Sequence, residues 1–434
     1  MFPTISSLLQ RFVDLGAINA FSKQLAENDN CKQQIYLGGS FDILQMFPFA
    51  EIEAFPSQKV PNYKAKLRLY WVTEDAAEIA QGAQLILYPK YPEVRLSGFL
   101  RGCRLAPSEH LQPVPAEMRK FNKGPDGRVL FFAITGAGET LAYLAPAGSA
   151  LAREFASHQN NGRYLSKSVF YELPLPRFDS KLALLKRLSE IRDHGWHDSM
   201  RLNKAGEAIP YKARNGGGYT LEALLGIIPN GRAEPDYLGW EIKAYSRDRI
   251  TLMTPEPDAG LYGQQGVEAF VRRFGSPTQD DTLYFTGTHR AGCRNEKTCL
   301  TMMLRGFDEK KNIVTDVAGA IELLTDSGEC VAGWSYADLM LGWNKKHAHA
   351  AYVPYESRQD GDPAYKYMSP ALLGEGTDFT RYLAAVSAGL VVFDPGSKVM
   401  AASTTRSKVK ARSQFRMSLR HLPTLYRQFG PAEF

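Results

Sequence analysis

Short apolar segments recur through residues 30–145 of this chain, and turn residues separate each segment from the next. The segments are rich in β-branched and aromatic residues, and residues 66–71 alternate polar with apolar side chains. A period of two favours strands of an antiparallel sheet or barrel. Helical patterns precede and follow these segments. We therefore expect a mainly β N-terminal domain with flanking helices over residues 1–160.

The second part of the chain has a different pattern. Residues 161–180 contain Pro174 and Pro176 and are typical of a linker. An amphipathic helix pattern then runs to Gly195, after which helical and strand-like segments alternate. Alternation of this kind is typical of an α/β core. Because 434 residues are too many for a single core, we predict a second domain over residues 181–434.

Composition excludes several classes of protein. The chain is 44% hydrophobic and 23% charged, which is close to the globular average. Its five cysteines are odd in number and scattered, so they do not form a disulfide framework. Cys293 and Cys299 lack a second pair of ligands for structural zinc. The sequence has neither an export signal nor an apolar stretch long enough to span a bilayer, so we expect a cytoplasmic protein.

Positive charge is concentrated near the C-terminus. The net charge of +6 is too small to identify a polyanionic partner. Between Pro395 and Ala432, however, there are eight Lys or Arg residues and no acidic residue. A solvated surface is one explanation. Contact with nucleic acid is the other, because Arg412, Gln414 and Arg416 can bond phosphates or base edges.

The residues best suited to catalysis lie within residues 215–257. In a strand, Glu241 and Lys243 point to the same face, and Ile242 points to the opposite face. Asp236 lies at the preceding turn, where its carboxylate can share a metal ion with Glu241. Two carboxylates and an ammonium are what Mg²⁺-dependent phosphodiester hydrolysis requires. The carboxylates hold the cation, and the lysine orients or deprotonates the attacking water and stabilises the transition state.

These residues also have simpler explanations. Asp236, Glu241 and Lys243 are compatible with an exposed, salt-bridged strand end. Glu222, in the first turn of a short helix after three glycines, is compatible with a charge that complements the helix dipole. A second E-x-K sequence at residues 309–311 lies in a charged, turn-like stretch, so it does not have the strand that the chemistry needs.

Residues 217–244, with Glu222, Asp236, Glu241 and Lys243, and the following strand at 250–254 resemble the MvaI/BcnI family of type II restriction endonucleases. That family consists of monomeric relatives of the nicking enzyme MutH. The resemblance implies an α/β, restriction-endonuclease-like PD-(D/E)xK fold and a Mg²⁺ cofactor. It further implies that Asp236 and Glu241 are metal ligands, Lys243 is the catalytic lysine and Glu222 faces the metal site.

The similarity continues more loosely through residues 339–356 and 393–419. In the family, these parts grip DNA on one side of the cleft, and a bidentate Arg or Lys suits guanine. For His347 and His349, the alternative is that they merely end a helix. The DNA-contact residues implied here are Lys345, Lys346, His347, His349, Arg412, Gln414 and Arg416.

Residues 23–48 and 88–103 resemble the effector-binding DNA domain of EcoRII-type enzymes, a β pseudobarrel whose two arms clamp a duplex. For residues 28–30 the alternative is an ordinary turn, and for Arg95 a solvent-facing strand position. A mixture of donors and acceptors suits the reading of base edges. The residues implied are Lys23, Asn28, Asp29, Lys32 and Gln34 in one arm and Lys90, Glu93, Arg95 and Arg101 in the other.

Together the two resemblances predict a two-domain, Mg²⁺-dependent type II restriction endonuclease acting as a monomer on a short CCWGG-like site. Its partners would be double-stranded DNA, with one duplex at each domain, and a protecting DNA methyltransferase. The N-terminal domain would be an effector site or an anchor. The alternatives are a MutH-like nicking nuclease controlled by a protein partner and a non-catalytic, sequence-specific DNA-binding protein.

Overall fold

The computed structural model describes residues 2–26, 29, 34–112, 124–175, 179–213, 215–228, 236–358 and 361–434. The backbone divides into two compact units, Met1–Asp179 and Ser180–Phe434. Within the described residues, no helix is both long enough and apolar enough to cross a bilayer.

The first unit is built mainly from strands. Its helices are α1 (Ile5–Asp14), α2 (Ser108–Leu111) and α3 (Ala150–Asn160), with a 3₁₀ helix at Phe41–Gln45. Its strands are β1 (Ala17–Ala26), β2 (Gln34–Gly38), β3 (Ile52–Phe55), β4 (Asn62–Lys66), β5 (Leu69–Val72), β6 (Ala77–Ile79), β7 (Gln84–Tyr88), β8 (Glu93–Ser97), β9 (Pro125–Thr135), β10 (Thr140–Ala145), β11 (Ser166–Lys167) and β12 (Phe170–Leu173).

These strands form two sheets, one of seven strands in the order β11-β12-β1-β9-β10-β5-β6 and one of five in the order β2-β8-β7-β4-β3. Thr4 caps the N-terminus of helix α1, and its hydroxyl accepts a hydrogen bond from the Ser7 amide. Its apolar residues at positions 5, 8, 9 and 12 follow a helical period and are buried in the core of this unit.

Two expectations for this unit differ from the described structure. Strands β11 and β12 lie within residues 161–180, the stretch expected to be a linker. Strand β12 pairs with β1, with Phe21 opposite Glu172, so this segment is part of the first unit. Within the described strands, the two sheets are open and no pairing closes either into a barrel. The pseudobarrel therefore stays a proposal.

The second unit alternates helices and strands. Its helices are α4 (Ser180–Asp193), α5 (Gly216–Leu224), α6 (Gly260–Phe274), α7 (Tyr336–Lys346) and α8 (Phe379–Ser387), with a 3₁₀ helix at Leu419–Leu425. Its strands are β13 (Trp196–Asp198), β14 (Met200–Leu202), β15 (Ala208–Pro210), β16 (Glu241–Tyr245), β17 (Arg249–Met253), β18 (Ser276–Pro277), β19 (Thr282–Thr286), β20 (Thr301–Arg305), β21 (Phe307–Asp308), β22 (Ile313–Val314), β23 (Ala320–Leu324), β24 (Cys330–Ser335), β25 (His349–Arg358), β26 (Ala364–Tyr367), β27 (Ala371–Glu375), β28 (Val391–Phe393), β29 (Gly396–Met400), β30 (Lys408–Lys410), β31 (Phe415–Ser418) and β32 (Gln428–Ala432).

A six-stranded sheet organises this unit. Five strands follow the order β13-β26-β25-β27-β32, and β16 pairs with β25 in parallel. Ile242 of β16 lies opposite Ala351 of β25, and both belong to a core that includes Leu184 and Leu188 of α4. Because side chains alternate along a strand, Glu241 and Lys243 point to the other face of the sheet.

Candidate active site

Strand β16 carries the first two functional side chains. Glu241 is 2% exposed, and the Lys243 ammonium lies 2.5 Å from its Oε1. Burial disfavours the charged form of Glu241, but the positive charges of Lys243 and Lys346 outweigh this effect and lower its pKa. Burial likewise opposes the charged form of Lys243, yet the neighbouring Glu241 raises the Lys243 pKa. The pair is therefore ionised, with Lys243 as an ammonium.

Asp236 is held at the start of the same strand. Its Oδ2 accepts a hydrogen bond of 3.0 Å from the Ile242 amide, which joins the loop carboxylate to β16. Burial raises the pKa of Asp236 to about 6, and the negative charge of Glu241 adds to this effect. Pro235, the residue before it in the motif, lies outside the described residues.

Glu222 of α5 belongs to the same electrostatic cluster. Burial and, to a smaller extent, the charge of Asp236 raise its pKa to about 7, while Lys243 opposes the shift. Three carboxyl groups therefore repel one another in a poorly hydrated site. Positive charge added to this site would relieve that repulsion.

The C-terminal end of α7 contributes one more cation. The Lys346 ammonium lies 4.0 Å from Glu241 Oε2, and its side chain is 32% exposed. Lys346 is one of the expected DNA-contact residues, and the structure places its ammonium beside the carboxylate cluster. Neighbouring Lys345 is in the helix, but its side chain is outside the described part of the chain.

His347 corrects an expectation. Its side chain is completely buried, with Nε2 3.1 Å from the Leu252 carbonyl oxygen and Nδ1 3.3 Å from the Tyr426 hydroxyl. Both ring nitrogens have protein partners, so His347 does not lie on a DNA-facing surface. His349 is half-buried, with its ring centroid 5.2 Å from that of Trp240.

The residues of this site fit a divalent cation. Glu241 Oε2 is buried and has no hydrogen-bond partner among the described residues. An oxygen of this kind, next to a second carboxylate with a raised pKa, is what a hard cation requires. The described residues contain no cluster of three or more His, Cys, Asp or Glu able to hold a metal ion. Mg²⁺ suits such a small set, because it keeps several waters and shares oxygens with a bound phosphate.

The expected DNA-contact residues near β31 have different surroundings. Arg412 is exposed, and its backbone amide donates to Ser397 Oγ. Arg416 forms an ion pair of 2.7 Å with Asp394, although its buried Nε has no partner among the described residues. Gln414 Oε1 is also buried and without a hydrogen bond within the described chain. Unsatisfied polar atoms beside an exposed arginine are compatible with a polar ligand.

In the first unit, Lys23 and Asp29 form a buried ion pair of 2.6 Å. Asp29 also accepts hydrogen bonds from the Ala26 and Tyr36 amides. The Lys23–Asp29 pair therefore links β1 to β2 and is not part of an exposed surface. Asn28 and Lys32 lie outside the described residues.

The other expected residues of this unit are more accessible. Glu93 and Arg95 of β8 form an ion pair of 3.0 Å on the polar face of the five-stranded sheet, opposite to the buried Val94 and Leu96. Gln34 is half-buried on β2, and Gln34 Nε2 lies 3.5 Å from the Tyr88 hydroxyl. Two further residues are exposed: Lys90, 5.5 Å from the Tyr91 ring centroid, and Arg101.

Sequence reasoning missed Tyr36, which lies directly opposite Arg95 in the β2–β8 pairing. Burial raises the pKa of its phenol, and the charge of Glu93 adds to the shift. The available signal was the alternation of residues 34–38, which places Tyr36 on the same face as Gln34.

No curated protein matches the chain. Solved structures similar to it include one described as a restriction endonuclease MvaI–cognate DNA substrate complex and one described as MvaI in the absence of DNA. The complex is 18% identical, covers 59% of this chain and 99% of its own, and has a TM-score of 0.45. The DNA-free structure is 16% identical, covers 59% and 98%, and has a TM-score of 0.32.

The family comparison covers more than half of the sequence. Residues 185–426 match the model of the MvaI/BcnI restriction endonuclease family. The matched range includes Glu222, Asp236, Glu241 and Lys243, and it lies entirely within the second unit. The chain therefore belongs to the MvaI/BcnI restriction endonuclease family.

Proposed function

We propose that this type II site-specific nuclease hydrolyses double-stranded DNA in a Mg²⁺-dependent reaction centred on Asp236, Glu241 and Lys243. The observation that carries the proposal is the Glu241 carboxylate. It is almost fully buried and paired with Lys243 through Oε1, while Oε2 has no hydrogen bond among the described residues. Burial of such a charge costs stability, and residues kept at this cost are candidates for a functional role.

Asp236 and Glu241 would hold the cation, and Glu222 would face it. When bound, Mg²⁺ lowers the pKa of a coordinated water and neutralises charge on the scissile phosphate. Without that positive charge, the three carboxyl groups repel one another, and this repulsion adds to burial in raising the pKa values of Glu222 and Asp236.

Lys243 would act as a donor rather than as a base. Its pKa is raised by Glu241, so its ammonium keeps its proton at neutral pH. An ammonium can orient the attacking water and stabilise the negative charge that develops on the phosphate oxygens. Lys346, 4.0 Å from Glu241, would add positive charge on the same side.

For recognition of DNA, the second unit offers Lys345, Lys346, His349, Arg412, Gln414 and Arg416. Arg416 would exchange its ion pair with Asp394 for a guanine edge, and Gln414 would bring its unsatisfied oxygen to a base donor. The match of residues 185–426 to a restriction endonuclease family supports a duplex in this unit. We propose a short CCWGG-like target.

The first unit would bind a second duplex as an EcoRII-like pseudobarrel domain. Its accessible residues are Gln34, Tyr36, Lys90, Glu93, Arg95 and Arg101. The buried Lys23–Asp29 ion pair would hold the backbone of Tyr36 in place. The polar sheet face supports this proposal because Tyr36 and Arg95 are opposed on neighbouring strands. The enzyme would work as a cytoplasmic monomer, nicking the strands in sequence, with a methyltransferase protecting the host's sites.

The proposal is tested by cleavage of unmethylated plasmid or phage DNA with and without Mg²⁺, followed by sequencing of the cut ends. Wild type should give discrete fragments that share one short motif, and Lys243→Ala should lower the rate at least about a hundredfold. Lys311→Ala is the matched control, because Lys311 belongs to the second E-x-K sequence and is exposed.

Other outcomes identify the alternatives. Nicking that needs an added protein partner would indicate a MutH-like enzyme. Sequence-specific binding by wild type with no cleavage under any metal condition would indicate a non-catalytic binding protein, and the assignments of Asp236, Glu241 and Lys243 would then be lost.

A further inference from the structure

A chain of buried hydrogen bonds runs from β25 to β17 in the second unit, and the proposed reaction does not use it. The Tyr352 hydroxyl is 2.7 Å from that of Tyr426, which is 3.3 Å from His347 Nδ1. His347 Nε2 is 3.1 Å from the Leu252 carbonyl oxygen. The three side chains are at most 3% exposed. Polar groups this deeply buried are expensive to leave unsatisfied, so the chain has one strongly preferred arrangement.

The direction of each hydrogen bond follows from its partners. The Leu252 carbonyl oxygen can only accept, so the imidazole proton is on Nε2. Burial lowers the pKa of His347 to about 3, and Lys243 contributes to the shift, so the ring is neutral and Nδ1 is an acceptor. Tyr426 therefore donates to Nδ1, and Tyr352 donates to the Tyr426 oxygen. Each of these three hydrogen bonds therefore has one direction.

The chain is placed to act on the catalytic strand. Tyr352 of β25 lies opposite Lys243 in the parallel β16–β25 pairing, so both side chains are on one face of the sheet. Burial raises the pKa of both Tyr352 and Tyr426, and the negative charge of Glu241 adds to both shifts. His347 follows Lys346 at the end of α7, and Leu252 belongs to β17. Tyr426 directly follows the 3₁₀ helix at Leu419–Leu425, so the hydrogen bonds join β25, this 3₁₀ helix, the end of α7 and β17.

We propose that His347, Tyr426 and Tyr352 are positioning residues, whose hydrogen-bond chain holds the Glu241–Lys243 pair in its reactive arrangement. This inference rests on the proposed function of that pair. Loss of these hydrogen bonds would let the Tyr352 ring move and would let water reach the Glu241 carboxylate. Glu241 would then gain hydration and alternative side-chain conformations, and its ion pair with Lys243 would weaken.

Four variants separate positioning from folding. His347→Phe keeps a flat ring against Trp343, whose centroid is 4.2 Å from that of His347, but removes both nitrogens. His347→Gln restores one donor and one acceptor. Tyr426→Phe removes one hydroxyl from the chain. Tyr382→Phe is the control, because Tyr382 is buried in the same unit and its hydroxyl has no hydrogen bond among the described residues.

Cleavage kinetics on plasmid DNA give the first measurement. We expect His347→Phe and Tyr426→Phe to lower kcat roughly ten- to a hundredfold, which is the size of effect for residues that support a metal site. KM for DNA should change by less than about twofold, since no DNA contact is lost. His347→Gln should recover part of kcat, and Tyr382→Phe should match wild type. An equal loss in Tyr382→Phe, or a rise in KM with unchanged kcat, would overturn the proposal.

Lysine ¹⁵N–¹H NMR gives a second measurement that does not need catalysis. A held Lys243 ammonium should give a slowly exchanging signal, identified by its absence in Lys243→Arg. The signal should persist in Tyr382→Phe and disappear in His347→Phe. If wild type cleaves no DNA, the proposed function fails, and this spectrum still tests the positioning chain. Persistence of the signal in His347→Phe would overturn it.

Discussion

At the scale of single residues, His289 makes the stability of the second unit depend on pH. It is fully buried, and Nε2 lies 2.8 Å from Thr298 Oγ1. Burial lowers its pKa from 6.5 to about 4, so the unfolded chain takes up a proton at a pH where the folded chain does not. The stability that His289 contributes is complete above about pH 6.5 and decreases as the pH falls towards 4.

The measurement is denaturant unfolding at pH 7 and pH 4.5, followed by tryptophan fluorescence. His289→Gln should reduce the loss of stability between these pH values by on the order of 2 kcal/mol, because glutamine does not titrate. His194→Gln, at an exposed position of the same unit, should leave the loss as in wild type. An unchanged loss in His289→Gln would contradict the prediction.

The sequence predicts some residue positions better than others. Glu241 and Lys243 lie on one face of the strand because side chains alternate, and the structure places Lys243 Nζ 2.5 Å from Glu241 Oε1. The burial of His347 could not be predicted, because its partners Leu252 and Tyr426 are distant in sequence. Local patterns give the direction of a side chain, whereas its environment depends on tertiary contacts. The catalytic roles themselves stay predictions.

At the scale of elements, a glycine at the start of α5, the helix that carries Glu222, lets this helix pack closely against Tyr355. A Cβ at Gly217 would come within 2.5 Å of the Tyr355 ring, whereas a Cβ at Gly218 would meet nothing within 4 Å. Gly217→Ala should therefore destabilise the second unit by about 1–3 kcal/mol and move α5. Gly218→Ala should stabilise the unit by up to about 1 kcal/mol, because alanine favours helix over glycine.

Thermal or denaturant unfolding of both variants measures these changes, and cleavage rates report the position of Glu222. Gly217→Ala should lose activity, while Gly218→Ala should keep it. Equal stability of the two variants would show that the helix does not need its close approach to Tyr355.

Element prediction from sequence succeeds where the pattern is local. The apolar segments of residues 30–145 correspond to strands such as β7 and β8, because alternation is set by adjacent residues. The two strands within residues 161–180 were not predicted. Strand β12 is there because it pairs with β1, about 150 residues away, and no local pattern records such a pairing.

At the scale of the whole molecule, the family match lies within the second unit, and the proposed binding of a second duplex belongs to the first unit. If it binds a second duplex, a plasmid with two target sites should be cleaved faster than a plasmid with one. Arg95→Ala should abolish that difference, because loss of a charged base contact costs about 1–3 kcal/mol, roughly ten- to a hundredfold in affinity for the second duplex.

Cleavage of the one-site plasmid should stay as in wild type, since the proposed catalytic residues all belong to the other unit. Arg153→Ala is the matched control, because Arg153 is an exposed arginine of α3, a helix whose Leu151 and Phe155 share a core with Phe131 of β9 in the seven-stranded sheet. If both arginine variants keep the preference for two sites, the polar face around Arg95 does not contact the second duplex. If wild type cleaves both plasmids at one rate, the first unit acts as an anchor, and Arg95→Ala should instead weaken binding of DNA to the full chain.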